Sequence, residues 1–180
     1  MGQYYKVIFL SDIKYKVEII RAWLSPCSYN NGCKLTEHSY INNDLVNATE
    51  QLLSPNGMFY KSRIVWAGDY ADTENVTRQN LYHMVDNKKP YYIEPLKQFY
   101  RYIINHTKKE YVDKLKLIDT DELITHPLPL LVSEGNGKGG GDYNGQNQEM
   151  CGRWSRDIIS VENNFPDEYS EIIPGFTVDE

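Results

Sequence analysis

Nine consecutive residues, Gly135, Asn136, Gly137, Lys138, Gly139, Gly140, Gly141, Asp142 and Tyr143, concentrate most of the chemistry this sequence can offer. Five are glycine, and among them stand one cation, Lys138, and one carboxylate, Asp142. Successive residues without a Cβ let main-chain N–H groups turn inward and approach a ligand closely, which makes a backbone nest for an anion with Lys138 beside it. All nine are candidate ligand-binding residues, and the ligand expected is a small anion, a phosphate or a nucleotide. The structural alternatives are a surface loop, or a place where two backbones pack closely.

Familiar phosphate motifs do not fit the run. Gly135, Gly137 and Gly140 satisfy GxGxxG, but the dinucleotide fingerprint needs a strand before it and a helix after it, and the polar DYNGQNQEM beyond the glycines starts no helix. Lys138 is succeeded by Gly139 in place of the Ser or Thr that holds magnesium in an ATP-type loop. Asp69 and Asp72 could join Asp142 in an acid–base or hard-metal site if the fold united them; otherwise DYAD ends a strand and caps the next segment. Cys27, Cys33 and His38 have a looser spacing than structural zinc sites, with Cys151 needed to complete the shell, so no metal site is expected. His38, His83, His106 and His126 share no motif with a nucleophile, and His126 before Pro127 suits a cap. Lys61, Arg63, Arg153 and Arg156 interleave with Phe59, Tyr60, Trp66 and Trp154, as a single-strand RNA surface would, but strands with one wet face give the same pattern. No motif names a cofactor or a reaction.

The blocks MGQYYK, KLTEHSY at 34–40, GMFYKSRIVWAGDYAD at 57–72, and GNGKGGGDY with GRWSRDIISVE after it at 152–162 touch most of the chain. In these the chain resembles a family of uncharacterised proteins from phages, bacteria and large-virus or protist-associated genomes. The shorter members carry the glycine segment just ahead of a GDYAD strand, whereas here GDYAD stands at 68–72 and the glycine segment some distance later. The resemblance implies an intracellular origin, a virus-infected host cell included, and a shared fold; it implies no activity.

Length and composition set the frame for these residues. At 180 residues and 41% hydrophobic, the chain suits one domain, 1–180, that buries roughly 70% of its unfolded surface. Its 25 acidic against 19 basic residues argue against gripping a nucleic-acid backbone. No apolar run reaches the roughly 18 residues of a membrane helix, and no leader pattern opens the chain, so a cytoplasmic protein without a membrane partner is expected. Lys6 stands where a myristoylated start has a hydroxyl residue. Three cysteines are too few for a disulfide framework, and the sequons at Asn47, Asn75 and Asn105 then go unused. The 15 tyrosines offer rigid contact area, so a protein-interaction module without catalysis is the alternative function.

The elements that would position the glycine segment are read from periodicity and breaks. Strands are expected at Gln3–Leu10, Tyr15–Leu24, Met58–Ala67 and, as the last strand, Cys151–Val161; a hairpin is expected from Phe99–Ile104 and Lys109–Leu117. Asn43 or Asp44 should cap a helix ending at Ser54, a short helix fits Arg78–Val85, and Pro127 opens another that Gly135 ends. Residues 162–180 form an acidic tail expected to be loosely held. The fold class is therefore α+β: one domain with a mixed or mostly antiparallel sheet and a few short helices. A faint echo links Leu45…Gly57-Met58-Phe59…Ile64-Val65 to Leu128…Gly152-Arg153-Trp154…Ile158-Ile159, with the aliphatic pair one residue out of step.

Overall fold

Tyr5, Val7 and Phe9 join one hydrophobic cluster while Ile8 and Leu10 join another, the two-residue alternation of a strand that is covered on both faces. A computed structural model of the chain describes residues 3–11, 16–117, 123–135 and 143–177. In it β1 (Tyr5–Leu10) lies between β2 (Ile20–Leu24) and β3 (Ser62–Gly68), antiparallel to both. The hairpin of β4 (Tyr102–Asn105) and β5 (Glu110–Asp113) sits beyond β7 (Ile158–Glu162), and β7 pairs antiparallel with both β4 and β3. Two short strands, β6 (Ser133–Glu134) on β3 and β8 (Ser170–Glu171) on β5, supply the parallel pairs. Among the described residues this is one mixed sheet of eight strands, mostly antiparallel, with four short helices, a single-domain α+β fold.

The helices are α1 (Leu35–His38), α2 (Asp44–Leu53), α3 (Leu81–Met84) and α4 (Pro127–Leu131). Asn43 caps α2 by accepting from Leu45 N and Val46 N, as its sequence position suggests. Helices α2 and α4 contribute to the cluster that holds Tyr5, Val7, Ile64, Trp66, Ile159 and Val161, and α3 covers the opposite face with Leu81. No helix among the described residues is long and apolar enough to cross a membrane.

The sheet has an internal two-fold pattern. Its order β2-β1-β3-β7-β4-β5 reads the same outward from the β3–β7 pair, because each half runs hairpin, helix, returning strand. The turns entering β3 and β7 share two hydrogen bonds at matching positions. Tyr60 N donates to Gly57 O and Ser62 N to Phe59 O; Ser155 N donates to Gly152 O and Asp157 N to Trp154 O. Lys61 (φ 54) and Arg156 (φ 62) are both left-handed at the same place in the turn. Aligned this way, Ile64 corresponds to Ile159 and Trp66 to Val161, all in the main cluster, so the one-residue mismatch in the echo vanishes.

Several boundaries differ from those expected. Residues 58–61 and 151–156 form turns instead of strand, because the left-handed residues at 61 and 156 cannot continue an extended backbone. The helix α4 ends at Leu131 with Val132 as its C-cap, and not at Gly135, since Val132 O accepts from Trp66 N and delivers the chain into β6. Strand β7 precedes β8, so it is not the last. The segment expected as a tail starts in β7; Phe165 packs edge-on against Tyr102 and Tyr111, and Asn147 Nδ2 donates to Pro174 O and Gly175 O.

The two matched turns keep glycine for different reasons. A Cβ on Gly57 would lie 2.2 Å from Leu52 O and 2.4 Å from Gln51 O, while Gly152 has φ 75. Gly57→Ala is expected to cost about 3 kcal/mol, at the upper end for overpacking, and Gly152→Ala about 1 to 2 kcal/mol, the usual cost of a left-handed non-glycine residue. Urea unfolding of both variants checks the order, and equal midpoints would contradict it.

Candidate functional site

The glycine-rich segment is carried by an insertion into the second half-unit. In the first half Phe59 N donates to Leu52 O, tying the turn to the end of α2; in the second Trp154 N donates to Leu131 O, tying it to the end of α4. Between Leu131 and Trp154 the chain has left this frame and returned to the same hydrogen bond. Extra loop residues on an unchanged scaffold are where ligand-binding groups are commonly placed. Of the nine candidate residues, Asn136, Gly137, Lys138, Gly139, Gly140, Gly141 and Asp142 lie outside the described residues; Gly135 and Tyr143 are described.

The two described flanks open onto different concavities. Gly135 lines a cleft of about 290 Å³ together with Asp72, Glu134, Glu149, Arg153 and Ser155. This brings Asp72 beside the start of the glycine segment. Asp69 is elsewhere engaged: its carboxylate accepts from Tyr4 N at 3.0 Å and its own N–H donates to Tyr4 O, which makes it an end-cap for the β1–β3 pair. The one cation that lines the cleft among the described residues, Arg153, is already neutralised. Arg153 is paired with Glu110, and Glu134 accepts from Arg156 Nε at 2.7 Å and from Ser155 Oγ at 2.6 Å. Among the described residues carboxylates outnumber cations there, so the described side chains of the cleft do not favour an anion.

Tyr143 leads into the other concavity. Its hydroxyl donates to Gln146 O at 2.7 Å and accepts from Thr177 N at 3.0 Å, and its ring meets Phe176 edge-on, which fixes the return from the glycine segment. Beside it is a cavity of about 170 Å³ whose wall includes Leu35, Thr36, Ser39, Thr125, Leu130 and Asn144. No charged side chain among the described residues lines it. Ser39 is only 6% exposed, and its Oγ is the single buried side-chain polar atom among the described residues without a hydrogen-bond partner.

A buried ionic cluster holds that wall. Glu50 on α2 is 3% exposed; its Oε1 and Oε2 accept from Lys114 Nζ at 2.9 and 2.7 Å, and Oε1 also meets His126 Nε2 at 2.7 Å. His126 Nδ1 accepts from Leu128 N, capping α4, so Nε2 carries the proton that goes to Glu50. His126 N donates in turn to Ser39 O, and Tyr40 bridges to Thr125. Burial pushes the Glu50 carboxyl up, but Lys114 and His126 outweigh it and hold the group below the usual carboxylate range. Burial pushes His126 down, more than Glu50 raises it, so the ring stays neutral. His38 is likewise depressed by burial, with Nε2 accepting from Trp66 Nε1 at 2.9 Å and Nδ1 bonded to Gly32 O.

Sequence reasoning passed over Glu50 and Lys114. The signal was available for Glu50, since Val46, Glu50 and Leu53 follow helical spacing and a carboxylate inside an apolar stripe demands a partner. Of the zinc candidates, Cys27 and Cys33 sit side by side, and both nitrogens of His38 are engaged with Gly32 O and Trp66 Nε1. Of the interleaved cations and aromatics, Trp66 and Trp154 are fully buried, Arg63 is paired with Glu18, and Arg156 with Glu134 and Glu74, while Lys61 is exposed over the ring of Tyr60.

No protein-family model, no curated protein and no solved structure matches this chain.

Lys114→Met is expected to destabilise the fold by about 3 to 5 kcal/mol by stranding Glu50, and Glu50→Gln in the same chain to recover much of it, which a double-mutant cycle in urea measures. His38, His106 and His126 all have depressed pKa values, so the unfolded chain takes up protons below its ordinary histidine value of about 6.5 while the folded chain does not. Stability is therefore present above that pH and lost as the pH falls through the depressed folded values. Melting curves should show this decline, and His38→Gln should flatten part of it; a melting temperature unchanged from neutral pH to about pH 5 would contradict it.

Proposed function

We propose that this protein binds a small ligand in the cavity next to the C-terminal flank of its glycine-rich insertion. The observation that carries the reading is Ser39, a residue of that cavity's wall whose buried Oγ has no hydrogen-bond partner, so that a small turn of its side chain would offer the hydroxyl to a ligand. An unmade hydrogen bond on a buried group costs about 1 to 3 kcal/mol, a cost that a ligand donor or acceptor would remove. A cavity near 150 Å³ can take a molecule of benzene's size, and this one, at about 170 Å³, has room for a small ring bearing one polar group. Since the described wall is uncharged, support for an anionic group on the ligand rests on the sequence of residues 136–142 alone.

The tyrosines favour ligand binding over a flat interaction surface. Tyr5, Tyr29, Tyr100, Tyr102, Tyr111 and Tyr143 are buried, and the most exposed described tyrosines, Tyr4, Tyr70 and Tyr92, lie on three different segments. That leaves less of the rigid aromatic area that an interface core uses.

A thermal-shift screen with phenol, benzamide, inorganic phosphate and adenosine monophosphate tests the reading. A neutral aromatic probe at 100 times its dissociation constant should stabilise the fold by about 2.7 kcal/mol, and Ser39→Ala should weaken that probe by about 1 kcal/mol without lowering the melting temperature of the free protein. Thr36 is exposed at the cavity wall, so Thr36→Trp should block binding and leave the fold intact. Stabilisation by phosphate that survives Thr36→Trp would move the site to the glycine segment; no stabilisation by any probe would remove the reading.

A further inference from the structure

Two thiols stand in contact on the surface at the connection from β2 to α1. Cys27 Sγ and Cys33 Sγ are 3.7 Å apart; Cys27 is exposed and Cys33 half-buried. Their nearness is imposed by the backbone. Cys27 lies in a 3-10 turn, Pro26–Tyr29, whose ends Pro26 and Tyr29 are buried and whose Tyr29 hydroxyl donates to Ile93 O. Asn30 is left-handed (φ 55) with its N–H on Cys27 O, and Asn31 N donates to Pro26 O, which folds the chain back on itself. Cys33 O accepts from Tyr5 N at 2.8 Å, tying the second thiol to the start of β1.

We propose that Cys27 and Cys33 form a reversible dithiol–disulfide site that exchanges with small-molecule disulfides. In the first step the exposed Cys27 thiolate attacks one sulfur of the incoming disulfide RSSR, forming a Cys27–S–S–R bond and releasing RS⁻. In the second the Cys33 thiolate attacks Cys27 Sγ, the Cys27–SR bond breaks, and a second RS⁻ leaves. The two cysteine protons end on the two released thiolates, so RSSR is reduced to two RSH while the protein is oxidised by two electrons. The sulfurs need to close from 3.7 Å to the bonded distance of about 2.05 Å, a movement within reach of side-chain rotation when both backbones are held. Because the second thiol is already in place, ring closure is intramolecular and outcompetes a lasting mixed disulfide.

The chemistry of the pair also sets its pH response. Burial, and then the contact with Cys27, push the Cys33 thiol up to about 11. The thiolate that closes the ring is scarce near neutrality, and the closing rate should rise about tenfold per pH unit there.

The test uses the full, reduced protein incubated anaerobically with oxidised glutathione, with thiol counting in denaturant and mass spectrometry of unreduced peptides as the readouts. Two of the three thiols should disappear, the intact mass should fall by two hydrogens, and the cross-linked peptides should contain Cys27 and Cys33, all reversed by dithiothreitol. Cys33→Ser should instead keep a glutathione adduct on Cys27, and Cys151→Ala should behave as the parent does. Three remaining thiols, a stable glutathione adduct on the parent, or a cross-link to Cys151 would each overturn the proposal. Circular dichroism of Cys33→Ser confirms that a missing cross-link reflects the missing thiol and not an unfolded chain.

Discussion

A carboxylate can stay charged inside a dry core only if positive charge and hydrogen-bond donors come in with it, and Glu50 imposes that condition on this fold. Lys114 reaches it from the turn after β5, and His126 from the start of α4, so one side chain on α2 joins segments that are far apart in sequence. The consequence extends past charge. His126, held by Glu50, caps α4 with its other nitrogen and donates its backbone N–H to Ser39, so the cavity wall inherits its geometry from the ionic cluster. Hydrophobic packing alone would allow these loops to slide; a buried charge with three short hydrogen bonds does not.

The two-fold arrangement of the sheet gives a physical account of why the glycine-rich segment can be tolerated. Each half closes its returning strand with the same turn and the same hydrogen bond to the preceding helix, from Phe59 to Leu52 and from Trp154 to Leu131. The second half makes that closure around an insertion. Lengthening a surface loop costs little entropy when its ends are fixed, roughly 0.6 kcal/mol per doubling, so the scaffold can carry variable residues without rebuilding its core. Departures from the two-fold pattern, at the glycine segment and at the 26–40 connection, are also where the cavity wall and the paired thiols lie.

Charge on the far side of the sheet is handled differently. Arg63 and Arg156 gather Glu18, Glu74 and Glu134 at the edge of the core, and the guanidinium of Arg63 also donates to Arg156 O. Burial disfavours the charge on Glu18, yet Arg63 and then Arg156 hold its carboxyl below the usual range. These contacts, bidentate from Arg63 to Glu18 and from Arg156 to Glu134, tie three separate segments to β3 and to the turn before β7, so both arginines serve the fold.

How much of this was legible in the sequence depends on the range of the interaction responsible. Local rules sufficed for β1, whose alternation of Tyr5, Val7 and Phe9 with Ile8 and Leu10 is written in consecutive residues, for the Asn43 cap of α2, for the β4–β5 hairpin, and for the proline that opens α4. The α+β class came from these. The starts of β3 and β7 were misplaced because strand-like residues run into turns with left-handed Lys61 and Arg156, turns that hydrogen bonds to the ends of α2 and α4 anchor. The nine-residue glycine segment declares itself by composition, but the cavity at its flank is made of residues from 35–40, 123–130 and 143–145, which only the tertiary fold assembles. Glu50 illustrates the division: helical spacing shows that a carboxylate faces the core, and nothing near it in sequence says that Lys114 and His126 will meet it there, because the field that keeps it charged comes from segments brought together only on folding.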